Sequence, residues 1–169
     1  MPIVPHDPAW AEAFAAEAQA IGAALAGPLI AVHHIGSTAI PGICAKPIID
    51  MLAEVRDLDS LDQAAPALVA LGYQAMGEFG IAGRRYFRRD DAAGIRTHHL
   101  HAYAMGSPHI ARHLAFRDYL RAHPATAADY AALKQRLASD PVSYVERKGP
   151  FVLSIQAEAL AWYTSRGVY

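Results

Sequence analysis

The sequence predicts an α+β domain in which a mixed sheet is flanked by helices and followed by a C-terminal helical segment. Three observations carry this reading. Strand-like runs cluster centrally, helical periodicity occupies both ends, and no repeat, low-complexity tract or linker divides residues 1–169 into more than one domain.

The elements follow in order. After an extended arm, Asp7-Pro8 opens a helix with a capping residue and a first-turn proline, and Trp10, Phe14, Ile21 and Leu25 keep near-helical spacing until Gly27-Pro28. Leu29 to His34 reads as a strand, Gly36-Ser37-Thr38 as a turn, and Pro47 to Val55 as a second strand carrying Asp50. Asp57 or Asp59 caps a helix whose inner face is Leu61, Leu68 and Leu71 and which Gly72 ends. Tyr73 to Met76, Gly83 to Arg89 and Ile95 to Tyr103 read as strands, the last two joined through Asp90-Asp91-Ala92-Ala93-Gly94 as a hairpin. Three helices close the chain: His109 to His123, stopped by Pro124; Thr126 to Ala138; and Val142 to about Ser165, with an interruption expected near Gly149-Pro150.

Composition bounds the function. A hydrophobic share of 53% and a charged share of 18% describe a globular chain able to bury a core. The net charge of −1 gives no long-range attraction to nucleic acid or to an anionic membrane. The single Cys44 cannot form an internal disulfide and reads as a packing residue in a reducing compartment. Without a basic, apolar leader or a membrane-length apolar run, the expected location is the cytoplasm. Phe151, Ile155, Leu160 and Trp162 would serve either as core or as a homodimer contact.

The chemistry concentrates around Val32 to Val55. A Gly36-Ser37-Thr38 turn leaving a strand presents amides and hydroxyls suited to phosphate or another anion. Asp50, set among Ile48, Ile49, Met51 and Leu52, needs a partner, and either a metal or Lys46 would supply one. On the Ile95 to Tyr103 strand, the two-residue period puts His99 and His101 on one face. With Asp50 they would make two nitrogens and a carboxylate, a set that suits zinc, iron or manganese; alternatively they would hydrogen-bond Asp50, Ser37 or Thr38. His34 is a further ligand, an acid/base group or a strand-end residue. Arg84, Arg85, Arg88 and Arg89 alternate across a strand, so one pair faces His99 and His101. Arg117 and Arg121 share a helix face. Together with Lys134, Tyr144 and Lys148 they would build an anion-binding wall if they converge on the sheet.

The strings His34-Ile35-Gly36-Ser37-Thr38, Pro41-Gly42 and Ala45-Lys46-Pro47-Ile48-Ile49-Asp50 resemble the signature of the GrpB family, also called UPF0157. The resemblance continues through Leu71-Gly72-Tyr73, His99-Leu100-His101, Phe116 to Arg121, Tyr130, Leu133-Lys134, Tyr144 and Lys148, with departures at Ala39 and His33. It implies a nucleotidyltransferase-like fold. Active members of that superfamily hold two divalent ions with two acids one residue apart and a third on a neighbouring strand. Here Asp50 is flanked on its face by Ile48 and Leu52, and the third-acid strand bears His99 and His101. Domains of this family also occur fused to dephospho-CoA kinase, which implies a nucleotide or CoA context. The expected activity is that of a transferase acting on a small anionic, nucleotide-like ligand. Gly36, Ser37 and Thr38 would hold the anion, Lys46 and Arg85 would meet developing charge, and Asp50, His99 and His101 would hold one divalent metal (Mg, Mn or Zn) or relay a proton. The alternative is a non-catalytic ligand-binding or folding-assistance module with a degenerate site.

Overall fold

The structure, a computed structural model, describes residues 1–138 and 141–167, and side chains throughout these except at 141–148. Helix α1 (Ala9–Ala24) leads into strand β1 (Leu29–Ile35), a single 3₁₀ turn (Ser37–Ala39) and strand β2 (Ile49–Val55). Helix α2 (Leu58–Ala70), short strand β3 (Gln74–Ala75), β4 (Arg84–Asp90) and β5 (Arg96–Ala104) follow, then helices α3 (Pro108–Ala122), α4 (Pro124–Leu137) and α5 (Pro141–Ser165).

The five strands form one mixed sheet in the order β1-β2-β5-β4-β3, antiparallel except for the parallel β2–β5 pair at its centre. Parallel neighbours need a crossover, and here α2, β3 and β4 supply it. The period of two then sorts the side chains. Met51, Ala53, Val55, Phe87, Leu100 and Ala102 meet Trp10 and Ile21 of α1, Leu25 just past its end, and Leu61 and Leu68 of α2 in the main core. On the opposite face Ile35, Leu52 and Tyr103 pack beneath Ile110 and Leu114 of α3. That covering is partial, and the sheet stays polar around Asp50 and His99, whose side chains are 31% and 25% exposed.

Element ends follow capping chemistry. Asp57 Oδ1 accepts from Ser60 N at 2.7 Å to start α2, and Ser107 caps α3 ahead of Pro108. Most boundaries shift by a residue or two from the sequence expectation and β3 shrinks to two residues; three differences have a visible cause. Pro124 does not merely stop α3; it is the first residue of α4, where its missing N–H leaves no bond unmade. Helix α5 runs through Gly149-Pro150 without a break, its far side held by Ile155 in a cluster with Ile40, Ile43, Leu120 and Tyr130. Strand β2 begins at Ile49 because Ile48 N donates instead to Lys46 O at 2.8 Å. Phe151 and Ile155 pack with that same cluster, and Leu160 and Trp162 against Ala115, Ala159 and Tyr163, with Ile155 buried and the other three half-buried.

Candidate functional site

The site is built where β1 ends. Gly36 adopts φ +70° and ψ −170°, a conformation nearly reserved for glycine, and it lies against β2. A Cβ added there would fall 2.7 Å from Asp50 Oδ2 and 3.0 Å from Asp50 Cβ. The missing side chain is therefore what lets the loop touch the acid. The backbone then winds into the 3₁₀ turn and presents Ser37 and Thr38.

Asp50 pairs in register with His99 across the parallel strands, and its Oδ1 lies 2.9 Å from His99 Nδ1. A carboxylate can only accept, so Nδ1 carries a proton, and in the neutral tautomer this leaves the lone pair on Nε2. From α4, Lys134 reaches the loop although it is only 2% exposed. Its ammonium donates to Ser37 Oγ at 2.9 Å and to the Cys44 carbonyl, and lies 4.7 Å from the Tyr130 ring centroid. These groups surround a hollow of about 140 Å³ lined also by Thr38, Ala45, Lys46, Ile48 and Ile3. Drug-sized ligands occupy roughly 300 Å³ or more, so this hollow fits a phosphate-sized group with the rest of a ligand lying outside it. The N-terminal arm helps to wall it, since Val4 and Ala45 exchange both backbone hydrogen bonds at 2.9 and 3.0 Å.

The structure thus brings together Gly36, Ser37, Thr38, Lys46, Asp50, His99 and Lys134. Other expected residues lie elsewhere. His34 is one residue out of phase: Ile35 pairs with Asp50, so the His34 ring turns to the α1 side and stacks on Phe14 at 4.7 Å. Its Nε2 donates to Thr38 Oγ1 at 2.9 Å, and that hydroxyl donates onward to Ile48 O. Burial, more than the neighbouring Arg121, lowers the His34 pKa to about 4, which keeps the ring neutral and makes it a brace for the turn. Arg85 points at α2, where it holds Asp62 through two contacts at 2.7 and 2.8 Å, so it cannot meet charge at Ser37. Arg84 is on the His101 face but is bound to the Glu78 and Phe79 carbonyls. Arg117 donates to His34 O and Asp118, and Arg121 to Ala39 O, so this pair clamps the loop from behind. Tyr144 and Lys148 have side chains outside the described residues.

The metal expectation meets a geometric obstacle. His101 sits one strand repeat beyond His99, the two ring centroids are 6.5 Å apart, and His101 Nδ1 faces the Arg84 guanidinium at 3.3 Å. Among the described residues no three His, Cys, Asp or Glu side chains are placed to hold a metal ion. Leu52, where a second acid would stand, is wholly buried in the apolar cluster beneath α3. The donor set around Asp50 therefore does not fit the two-ion centre of nucleotidyl transfer.

The family profile described as GrpB protein matches residues 1–158. This chain belongs to the GrpB family. The UPF0157 protein YqkA of Bacillus subtilis is 45% identical over 168 residues, which are 97% of this chain and 48% of that protein, so the chain spans about half the length of this relative. The crystal structure of the conserved protein GrpB from Enterococcus faecalis superposes with a TM-score of 0.88 at 42% identity, covering 95% of this chain and 98% of the other. A dephospho-CoA kinase of Mycobacterium tuberculosis is 29% identical over 189 positions, covering 95% of this chain and 46% of the kinase. Cid1, solved in complex with its short product ApU, shares the fold at a TM-score of 0.55 and 13% identity, covering 80% of this chain and 42% of Cid1. The GrpB fold is thus a nucleotidyltransferase-like mixed sheet flanked by helices.

Proposed function

We propose that this GrpB chain takes the phosphate end of a small nucleotide-like molecule into the hollow beside Ser37 and acts on it through the Asp50–His99 pair. The observation that carries this reading is convergence: a Ser37 hydroxyl braced by a buried ammonium, the Lys46 side chain and an Asp-His pair share one phosphate-sized cavity. The kinship with nucleotidyltransferase folds and the likeness to a dephospho-CoA kinase support the ligand class.

In this reading Asp50 holds the imidazole by Nδ1–H, leaving Nε2 to take the proton of an attacking hydroxyl. The new oxygen–phosphorus bond forms as the leaving oxygen departs with its electron pair. Lys46 and Lys134 offset the charge on the transferred group. The second reading is a binding module without turnover, and Leu52 in the second-acid position favours it.

Thermal-shift screening with nucleoside triphosphates and CoA derivatives tests the binding. At least one ligand should raise the unfolding temperature of the native chain, and Ser37→Ala should lose most of that rise. Asp50→Asn and His99→Gln should keep binding and abolish turnover. If no nucleotide binds, the proposal fails; if ligands bind with no turnover in the native chain, the second reading stands.

A further inference from the structure

Further along the same sheet face lies a cluster of polar side chains that the Ser37 hollow does not use. Arg84, 7% exposed, spends its Nε and Nη2 on the Glu78 and Phe79 carbonyls and turns Nη1 to His101 Nδ1 at 3.3 Å. From α3, Arg112 Nη2 faces His109 Nδ1 at 3.2 Å and His113 Nε2 at 3.4 Å. Tyr103 joins the two halves: its ring stacks on His109 with centroids 5.0 Å apart and lies 6.1 Å from His113, which is 5.7 Å from His101.

A guanidinium only donates and keeps its charge. Each ring nitrogen facing one must supply a lone pair, so the proton of each neutral imidazole sits on its other nitrogen. Desolvation, the leading cause in each case, holds the rings neutral, with His101 at about 4, His113 at about 3 and His109 lowered. The cluster therefore combines two permanent positive charges with further N–H donors. The buried Nε of Arg112 has no acceptor, and the wholly buried Tyr103 Oη lies against the Arg84 and Arg112 guanidiniums, which oppose the rise in its pKa that burial imposes, so the proton of its own hydroxyl lacks an acceptor. Among the described residues no carboxylate forms an ion pair with Arg84 or Arg112. Buried charge and buried donors without acceptors are costly, and an anion relieves both.

We propose that Arg84 and Arg112, with Tyr103 and the imidazoles of His101, His109 and His113, form a second oxyanion site that takes a phosphate group, free or esterified. A phosphate dianion matches two guanidinium charges, and its oxygens accept from several donors at once. A single carboxylate would leave one charge uncompensated. The site stands apart from the Ser37 hollow and does not rest on the function proposed for it.

The probe is inorganic phosphate against chloride at matched ionic strength, read by titration calorimetry and by unfolding temperature. The native chain should bind it saturably and gain stability. Arg112→Gln should weaken binding at least tenfold, yet without phosphate unfold at the native temperature or above, because it removes a half-buried charge that no carboxylate among the described residues pairs. Tyr103→Phe should weaken binding severalfold with the fold intact. Ser37→Ala should lose at most the phosphate held in the Ser37 hollow and keep the component that Arg112→Gln and Tyr103→Phe weaken. Absence of saturable binding, native affinity in both Arg112→Gln and Tyr103→Phe, or loss of all binding in Ser37→Ala overturns the proposal. A failure of nucleotide binding at Ser37 leaves these outcomes unchanged, so the two readings fail separately.

Discussion

Gly36→Ala tests the approach of loop and acid on which the site depends. Gly36 holds φ +70°, and the added Cβ would meet Asp50 Oδ2 at 2.7 Å, Cβ at 3.0 Å and Cγ at 3.2 Å. The carboxylate oxygen can rotate away, but Asp50 Cβ is fixed to the central strand and cannot. Two costs follow: about 1–3 kcal/mol for a glycine-only backbone conformation and about 1–3 kcal/mol for overpacking. Gly42 provides the control, since it also has positive φ, +81°, but open space where a Cβ would go. Gly42→Ala should bear only the backbone part. Urea unfolding of both variants should show Gly36→Ala the less stable by about 1–3 kcal/mol, or roughly 2–12 °C in a domain of this size. The His99 ring resonances should move in Gly36→Ala alone, because relieving the clash displaces the Asp50 carboxylate. Equal losses in the two variants, with His99 unmoved, would refute the close approach.

Further outcomes follow from other parts of the fold. His34 and His101 titrate at about 4 and His113 at about 3, while the unfolded chain binds protons at these rings near pH 6.5. The unfolded state thus holds more protons between these values, so stability rises with pH through that window and is lost as pH falls from about 6.5 toward 4. Replacing His34 by Gln should flatten part of this acid limb in denaturant titrations run at several pH values. Glu17, 7% exposed, accepts from Tyr73 Oη at 2.8 Å and Arg89 Nη1 at 2.7 Å, so Glu17→Ala should destabilise by on the order of 3 kcal/mol. Glu17→Gln, which keeps an acceptor oxygen, should lose clearly less, and equal losses would contradict a hydrogen-bonding role. Arg85→Ala breaks a pair whose Asp62 side chain is 45% exposed, so it should change stability by less than about 1 kcal/mol and leave nucleotide thermal shifts intact.

The parts of this architecture that were legible in the sequence are those fixed by local periodicity. Alternation along residues 95–103 put His99 and His101 on one face, and the Gly-Ser turn lay next to Asp50 as expected. Phase between strands was not legible. Whether Arg84 or Arg85 faces His101 depends on which residue of β5 each opposes, and the observed register gives Arg84↔Tyr103 and Arg85↔Ala102. His34 drew attention by adjacency to the turn, yet pairing Ile35 with Asp50 sends it to the other side of the sheet. The Tyr103 and Arg112 cluster was invisible for the same reason, since α3 must fold over β5 before its charges and rings meet. At Gly149-Pro150 local propensity argued for a break, and packing of α5 overrode it.

Lys134 meets Ser37 across 97 positions of chain. Every strand precedes α4, so a nascent polypeptide emerging from the ribosome can complete its sheet while the Ser37 loop still lacks its ammonium. Under the proposed function, ligand capture would wait until the fourth helix docks, and a local opening of that helix would free a bound phosphate group without melting the strands beneath it.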